Sequence, residues 1–221
     1  MVLTNNINEI REKVKTFNRE ITLIAATKTQ TSETIDEFVK VAPEFILGEN
    51  RVQELVSKYN PNYVWHMIGQ LQANKVKYII DKVDMIHSLD RLTLADEIEK
   101  QATKHNKIMN CLVEINMGAE ITKGGVEPNK VQEFIEQLAP YAHIKVKGLM
   151  AVLPNMEDKI ALGNMYKDLY NIYEDAKSLN GGNVDIEYLS AGMTNDWEIA
   201  LDNGSNMIRL GRVLFGERIY V

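Results

Sequence analysis

The sequence predicts an α/β fold, a single-domain (β/α)8 barrel of the TIM type, on three observations. Eight short apolar or β-branched runs alternate with longer stretches of helical periodicity, as repeated strand–helix units around a parallel sheet require. No G-x-G-x-x-G turn follows the first run, as a dinucleotide-binding sheet would need, and a five-stranded flavodoxin-like sheet would leave three runs unused. No linker divides the 221 residues, which sit near the short end of the barrel range and demand short loops.

In chain order, an amphipathic stretch over residues 7–17 comes first and is expected to cap or flank the barrel. Strand runs follow at 21–26 (ITLIAA), 45–48 (FILG), 64–69 (VWHMIG), 85–88 (MIHS), 110–116 (NCLVEIN), 146–152 (VKGLMAV), 186–191 (IEYLSA) and 207–215 (MIRLGRVLF). Helical periodicity fills 31–42, 74–82, 92–105, 128–138, 158–178 and 195–203. Gly181-Gly182-Asn183 reads as a helix C-cap and turn before the seventh strand. One domain over residues 1–221 is the expectation.

Composition narrows the function. With 25 Lys+Arg against 31 Asp+Glu, the net charge of −6 has the wrong sign for a general nucleic-acid binder. The first twenty residues scatter charge and lack the apolar region and cleavage site of a secretory signal, and no apolar run is long enough to span a membrane. A cytoplasmic protein is expected. The lone Cys111 has no partner for an internal disulfide and reads as a small core residue. His66, His87, His105 and His143 are scattered without HExxH or CxxC spacing, so no metal site is expected.

Barrel sites lie at the C-terminal ends of the strands. The first run ends in Thr27-Lys28-Thr29, where a desolvated lysine would lose its proton readily and could form an imine with an aldehyde. A solvated lysine opening a loop is the competing reading. After the seventh run, Ser190-Ala191-Gly192-Met193-Thr194 leads toward a helix start marked by Thr194 or Asn195, with Asn195 and Glu198 at capping-box spacing. Backbone N–H groups and a hydroxyl converging there suit a phosphate dianion. The eighth run adds Arg209-Leu210-Gly211-Arg212, two cations around a glycine that permits close backbone approach. Together with Lys28 these residues describe a pocket for a ligand carrying both a phosphate and a carbonyl.

Other candidates are weaker. Asn50 and Asn74 fall in loops at the same mouth and read equally well as ligand donors or helix caps. His66 lies inside an apolar run and reads first as a core histidine with one hydrogen bond. Glu49, Asp90 and Glu114 near strand ends raise a glycosidase pair, although rim carboxylates are commonplace. Lys123-Gly124-Gly125-Val126 reads as a mobile loop that could gate a ligand.

The strings IAATKT, GENRVQE, WHMIGQLQANK, IHSLDR, LVEIN, TKGGV, KGLMAV, LSAGMTNDWEIALDNGS and IRLGRVLFGER resemble, in order and without large gaps, the pyridoxal phosphate homeostasis proteins. These are single-domain relatives of the alanine racemase N-terminal barrel. The resemblance implies a fold-type III pyridoxal 5′-phosphate barrel in which Lys28 carries the cofactor as a reversible Schiff base and Arg209 faces the pyridine nitrogen. It also implies that Gly192, Thr194 and Gly211 bind the phosphate, while Asn50 and Asn74 flank the cofactor. Thr194 stands where many relatives have Ser, Leu47 where an aromatic residue is often found, and Arg212 where a small hydroxyl residue is usual.

A guanidinium can only donate, so its pyridine partner stays unprotonated and the cofactor is a poor electron sink for carbanions. Racemisation also needs a second base, which full-length alanine racemases draw from an added β domain and a dimer partner, and none is expected from the sequence up to Val221. The resemblance therefore implies a non-enzyme that holds pyridoxal phosphate and hands it to apo enzymes, and a monomer is expected; the charge and the short apolar runs argue against nucleic acid and membrane as partners. A cofactor-dependent racemase and a Schiff-base aldolase are the alternatives.

Overall fold

The computed structural model describes residues 2–118 and 124–216, with side chains from residue 5 onward. Among the described residues, β1 (Thr22–Ala26), β2 (Ile46–Glu49), β3 (Trp65–Met67), β4 (Met85–Leu89), β5 (Met109–Ile115), β6 (Ile144–Ala151), β7 (Val184–Ser190) and β8 (Met207–Leu210) close into one parallel barrel in sequence order. The seam pairs β1 with β8, Thr22 beside Met207 and Ala25 beside Leu210.

Strand alternation divides the apolar residues between two layers. Ile24, Ile68, Met85, Leu112, Met150 and Met207 pack together inside the ring. Their neighbours, such as Leu23 and Ala25 on β1, pack outward in the larger core beneath the helices. Gly48 keeps the ring narrow, since a Cβ there would come within 2.6 Å of Ile24 Cγ2 and 2.9 Å of Ile68 Cδ1.

The helices are α1 (Val2–Lys15), α2 (Ser32–Val41), α3 (Val52–Lys58), α4 (Leu92–Lys104), α5 (Val131–Gln137), α6 (Lys159–Ala176), α7 (Trp197–Asp202) and α8 (Arg212–Phe215). Side-chain caps start two of them. Thr31 accepts from the Thr34 N–H, and Asp158 Oδ1 accepts from the N–H groups of Ile160 and Ala161. The N-terminal α1 flanks the barrel as expected, burying Ile7 and Ile10, with the Asn6 amide donating to the Val213 carbonyl at 2.8 Å. No helix among the described residues is long and apolar enough to cross a membrane.

Four local expectations are corrected. The eighth run does not continue to residue 215, because β8 ends at Leu210 and the chain turns at Gly211 into α8. The stretch 74–82 is a 3-10 helix over Ala73–Tyr78 rather than an α-helix. α3 was not anticipated, being only seven residues long. The helix expected from Asn195 begins at Trp197, and no capping box forms because Glu198 pairs instead with Lys13 at 2.9 Å.

Candidate functional site

A cavity of about 420 Å³ opens at the C-terminal mouth of the barrel. Lys28, Asn50, Thr194, Arg209 and Gly211 all line it, so five of the seven residues singled out in the sequence meet there. The wall between β6 and α6, residues 152–156, is mainly apolar and completes the enclosure. Among the described residues four cations, Lys28, Lys159, Arg209 and Arg212, line the space, with Asp196 as the acidic one. A cavity of that charge in an acidic chain attracts anions.

Lys28 follows β1 on a turn whose two flanking residues are fixed. Lys58 of α3 donates to the Thr27 carbonyl at 3.0 Å, to Glu49 Oε2 at 3.0 Å and to Glu54 Oε2 at 3.1 Å. The Thr27 hydroxyl lies 3.0 Å from Glu49 Oε2, and the Thr29 N–H donates to Glu54 Oε2 at 2.9 Å. Thr29 sits in the left-handed region at φ 68, and the Glu54 contact helps offset the strain of that conformation. The backbone around Lys28 is thus held from both sides. Its own amine makes no hydrogen bond or ion pair among the described residues, and Lys28 lines the cavity. Glu49, read from sequence as a rim carboxylate, is fully buried and committed to Lys58, which removes it from any glycosidase pair.

The strand-seven and strand-eight loops form a cradle. Among the described residues, the N–H groups of Thr194, Asn195, Gly211 and Arg212 donate to no protein acceptor. The loop that presents the first two is tied down by Asp196, whose Oδ1 accepts from the Met193 N–H at 2.7 Å and whose Oδ2 accepts from the Tyr166 hydroxyl at 2.7 Å. Gly192 makes that turn possible. It adopts φ 100, and a Cβ would come within 2.6 Å of Ala200 Cβ and 3.0 Å of Trp197 Cα. It does not itself line the cavity. Gly211 does, and a Cβ there would meet Ala26 only at ordinary contact distance, 3.6 Å.

Arg209 is buried on β8 and forms part of the cavity floor. Its guanidinium donates from Nη1 to the Ser190 carbonyl at 2.8 Å and the Ser190 hydroxyl at 2.7 Å, and from Nη2 to the Ala151 carbonyl at 3.0 Å. Of its five N–H groups two remain for a ligand. Burial pulls its pKa down, opposed by Tyr166, Glu114 and Asp196, but a guanidinium stays cationic.

Asn74 stands apart. It is exposed on the 3-10 helix and is not among the cavity-lining residues. Glu114 is the group that sequence reading undervalued: its Oε2 is buried without a hydrogen-bond partner, and burial with Asp90 nearby pushes its carboxyl up to about 7. Lys123 lies outside the described residues. The far end of its loop is fixed, because Val126 bridges to Ile115 and Gly125 N–H donates to Asp90 Oδ2 at 3.3 Å. No group of His, Cys, Asp and Glu able to hold a metal occurs among the described residues.

The fold and this site place the chain in a class: the family model described as alanine racemase, N-terminal domain, matches residues 2–219. A curated relative from Aquifex aeolicus, a pyridoxal phosphate homeostasis protein, is 42% identical over 90% of this chain and 87% of its own. PipY of Synechococcus elongatus, solved without pyridoxal phosphate, superposes with a TM-score of 0.88 at 25% identity over 97% of this chain and 100% of that one. The same protein with pyridoxal phosphate bound gives a TM-score of 0.86 at 24% identity over the same shares, a likeness of fold. Within the alanine racemase N-terminal class, this chain belongs to the pyridoxal phosphate homeostasis protein family.

Proposed function

We propose that this chain binds pyridoxal 5′-phosphate reversibly on Lys28 and serves to hold and hand over the cofactor, with no robust turnover of its own. One observation carries the reading: an amine with no protein partner among the described residues shares a cavity with a cationic cradle of N–H groups that are likewise unpartnered among those residues. The donor set fits the group. Thr194, Asn195, Gly211 and Arg212 offer backbone N–H groups for a phosphate, the Thr194 hydroxyl and the Arg212 guanidinium add to them, and Arg209 keeps two N–H groups for a ring nitrogen.

When bound, the cofactor supplies an aldehyde that condenses reversibly with a primary amine. Lys28 supplies that amine from a turn clamped on both sides, so its side chain alone does the moving. Arg209 can only donate, so a pyridine nitrogen held by it would stay unprotonated, which would disfavour carbanion chemistry. Asn50 lines the same wall as Lys28 and can donate to the ring substituents. The single cysteine, buried and unpaired, suits a reducing cytoplasmic setting. Apo forms of cofactor-dependent enzymes are the proposed recipients, and the chain is proposed to work as a monomer.

Borohydride reduction after incubation with pyridoxal phosphate, followed by peptide mass mapping, tests the reading. The expected result is one reduced adduct at Lys28 that Lys28→Ala abolishes. Labelling elsewhere, or none, overturns the binding. Conversion of L-alanine to D-alanine that depends on Lys28 overturns the non-catalytic half of the proposal.

A further inference from the structure

Beneath the cavity floor a line of buried polar groups crosses the barrel interior. Arg209 Nη1 lies 2.7 Å from Ser190 Oγ, Ser190 Oγ lies 3.3 Å from His87 Nδ1, and His87 Nε2 lies 3.0 Å from His66 Nδ1. All four side chains are buried. Polar groups in such a place are retained only when each is satisfied.

The direction of the line follows from valence and from the partners within reach. Arg209 has donors only, so Ser190 Oγ accepts from it. The buried hydroxyl proton of Ser190 then needs an acceptor, and among the described residues His87 Nδ1 is the one beside it, so a bare Nδ1 satisfies it. His87 therefore carries its proton on Nε2 and gives that hydrogen bond to a bare His66 Nδ1. His66 in turn is an Nε2–H tautomer. Both rings are neutral: burial lowers His66 to about 3, and burial, reinforced by the Arg209 charge nearby, holds His87 well below its ordinary range. A protonated His87 would have to donate toward Ser190 and would turn a second donor against the hydroxyl that receives Arg209.

We propose that His87, backed by His66, is a positioning residue for Arg209: the histidine pair ends a one-way hydrogen-bond chain that keeps the Ser190 hydroxyl turned to accept from the guanidinium. Arg209 is thereby presented to the cavity in one orientation. The effect on the cofactor rests on the function proposed above, whereas the tautomers do not.

Two measurements separate the two. Nitrogen-15 NMR of histidine-labelled, ligand-free protein is expected to show His66 and His87 as neutral Nε2–H tautomers that do not titrate between pH 5 and 8. An Nδ1–H tautomer at His87, or protonation of either ring in that range, overturns the proposal whatever the ligand. Cofactor binding is then followed by the visible absorption band. His87→Leu removes the acceptor and is expected to weaken retention about tenfold and shift the band, the loss of one hydrogen bond in a charged network. His87→Asn restores an acceptor near the Nδ1 position and is expected to recover the wild-type band and most of the affinity. Equal spectra and affinities for wild type, His87→Leu and His87→Asn overturn the positioning role. A wild-type protein that takes up no cofactor defeats the functional proposal and leaves the NMR result standing on its own.

Discussion

The Lys58 ammonium lies 3.0 Å from the Glu49 carboxylate, and Glu49 is fully buried while Lys58 is nearly so. One helix and one strand end thereby act on a third element, since the same ammonium holds the Thr27 carbonyl next to Lys28. The pair is a rigid mount for the amine, built from residues that never touch the cavity.

Lys58→Met strands the Glu49 charge in the interior and is expected to cost about 3–5 kcal/mol of stability in urea denaturation. The double variant Glu49→Gln/Lys58→Met should lose less than the two single changes added together. Strict additivity of the singles would show that the two groups act independently.

Gly192 and Gly211 should respond differently to alanine. Gly192→Ala forces an L side chain to φ 100 against Ala200 and Trp197, and is expected to cost about 1–3 kcal/mol along with anion retention. Gly211→Ala meets only an ordinary contact with Ala26, so stability should change by no more than about 0.5 kcal/mol while the added methyl crowds the cavity. Denaturation curves paired with titration by pyridoxal phosphate distinguish the two roles.

Glu114 gives stability a definite pH dependence. Its folded carboxyl titrates near about 7, above the ordinary 4.5, so the folded state binds the extra proton between those values. Its contribution is most favourable below 4.5 and declines as pH rises through 7, where the full penalty is about 3 kcal/mol. Glu114→Gln should match wild type near pH 4 and exceed it by up to that amount at pH 8. A wild-type and variant pair with parallel profiles from pH 4 to 8 would remove the buried carboxyl as their cause.

The barrel was legible because apolar β-branched runs alternate with stretches of helical periodicity, and every strand overlaps one of them. Its eighth strand was overextended because Val213, Leu214 and Phe215 continue the apolar run of the strand before them, and four residues are too few to reveal a helical period. The cavity-lining residues were visible through their type and position at strand ends. Lys58 was not, since it lies one helix away from the loop it holds and only the fold brings it to Thr27 and Glu49. The His66–His87 contact joins residues 21 apart, on neighbouring strands, and no local pattern announces it. Asn74 shows the converse: a residue type apt for ligand contact, carried on a turn that faces solvent.

The ring closes by joining β1 to β8, which makes neighbours of an amine near one end of the chain and a guanidinium near the other. A polypeptide emerging from the ribosome holds Lys28 early but has no anion cradle until the final strand and turn are made. Any ligand that needs both groups at once therefore meets the whole cavity only after β8 has been made and has closed against β1. Occupancy of the cavity would thus report closure of the ring.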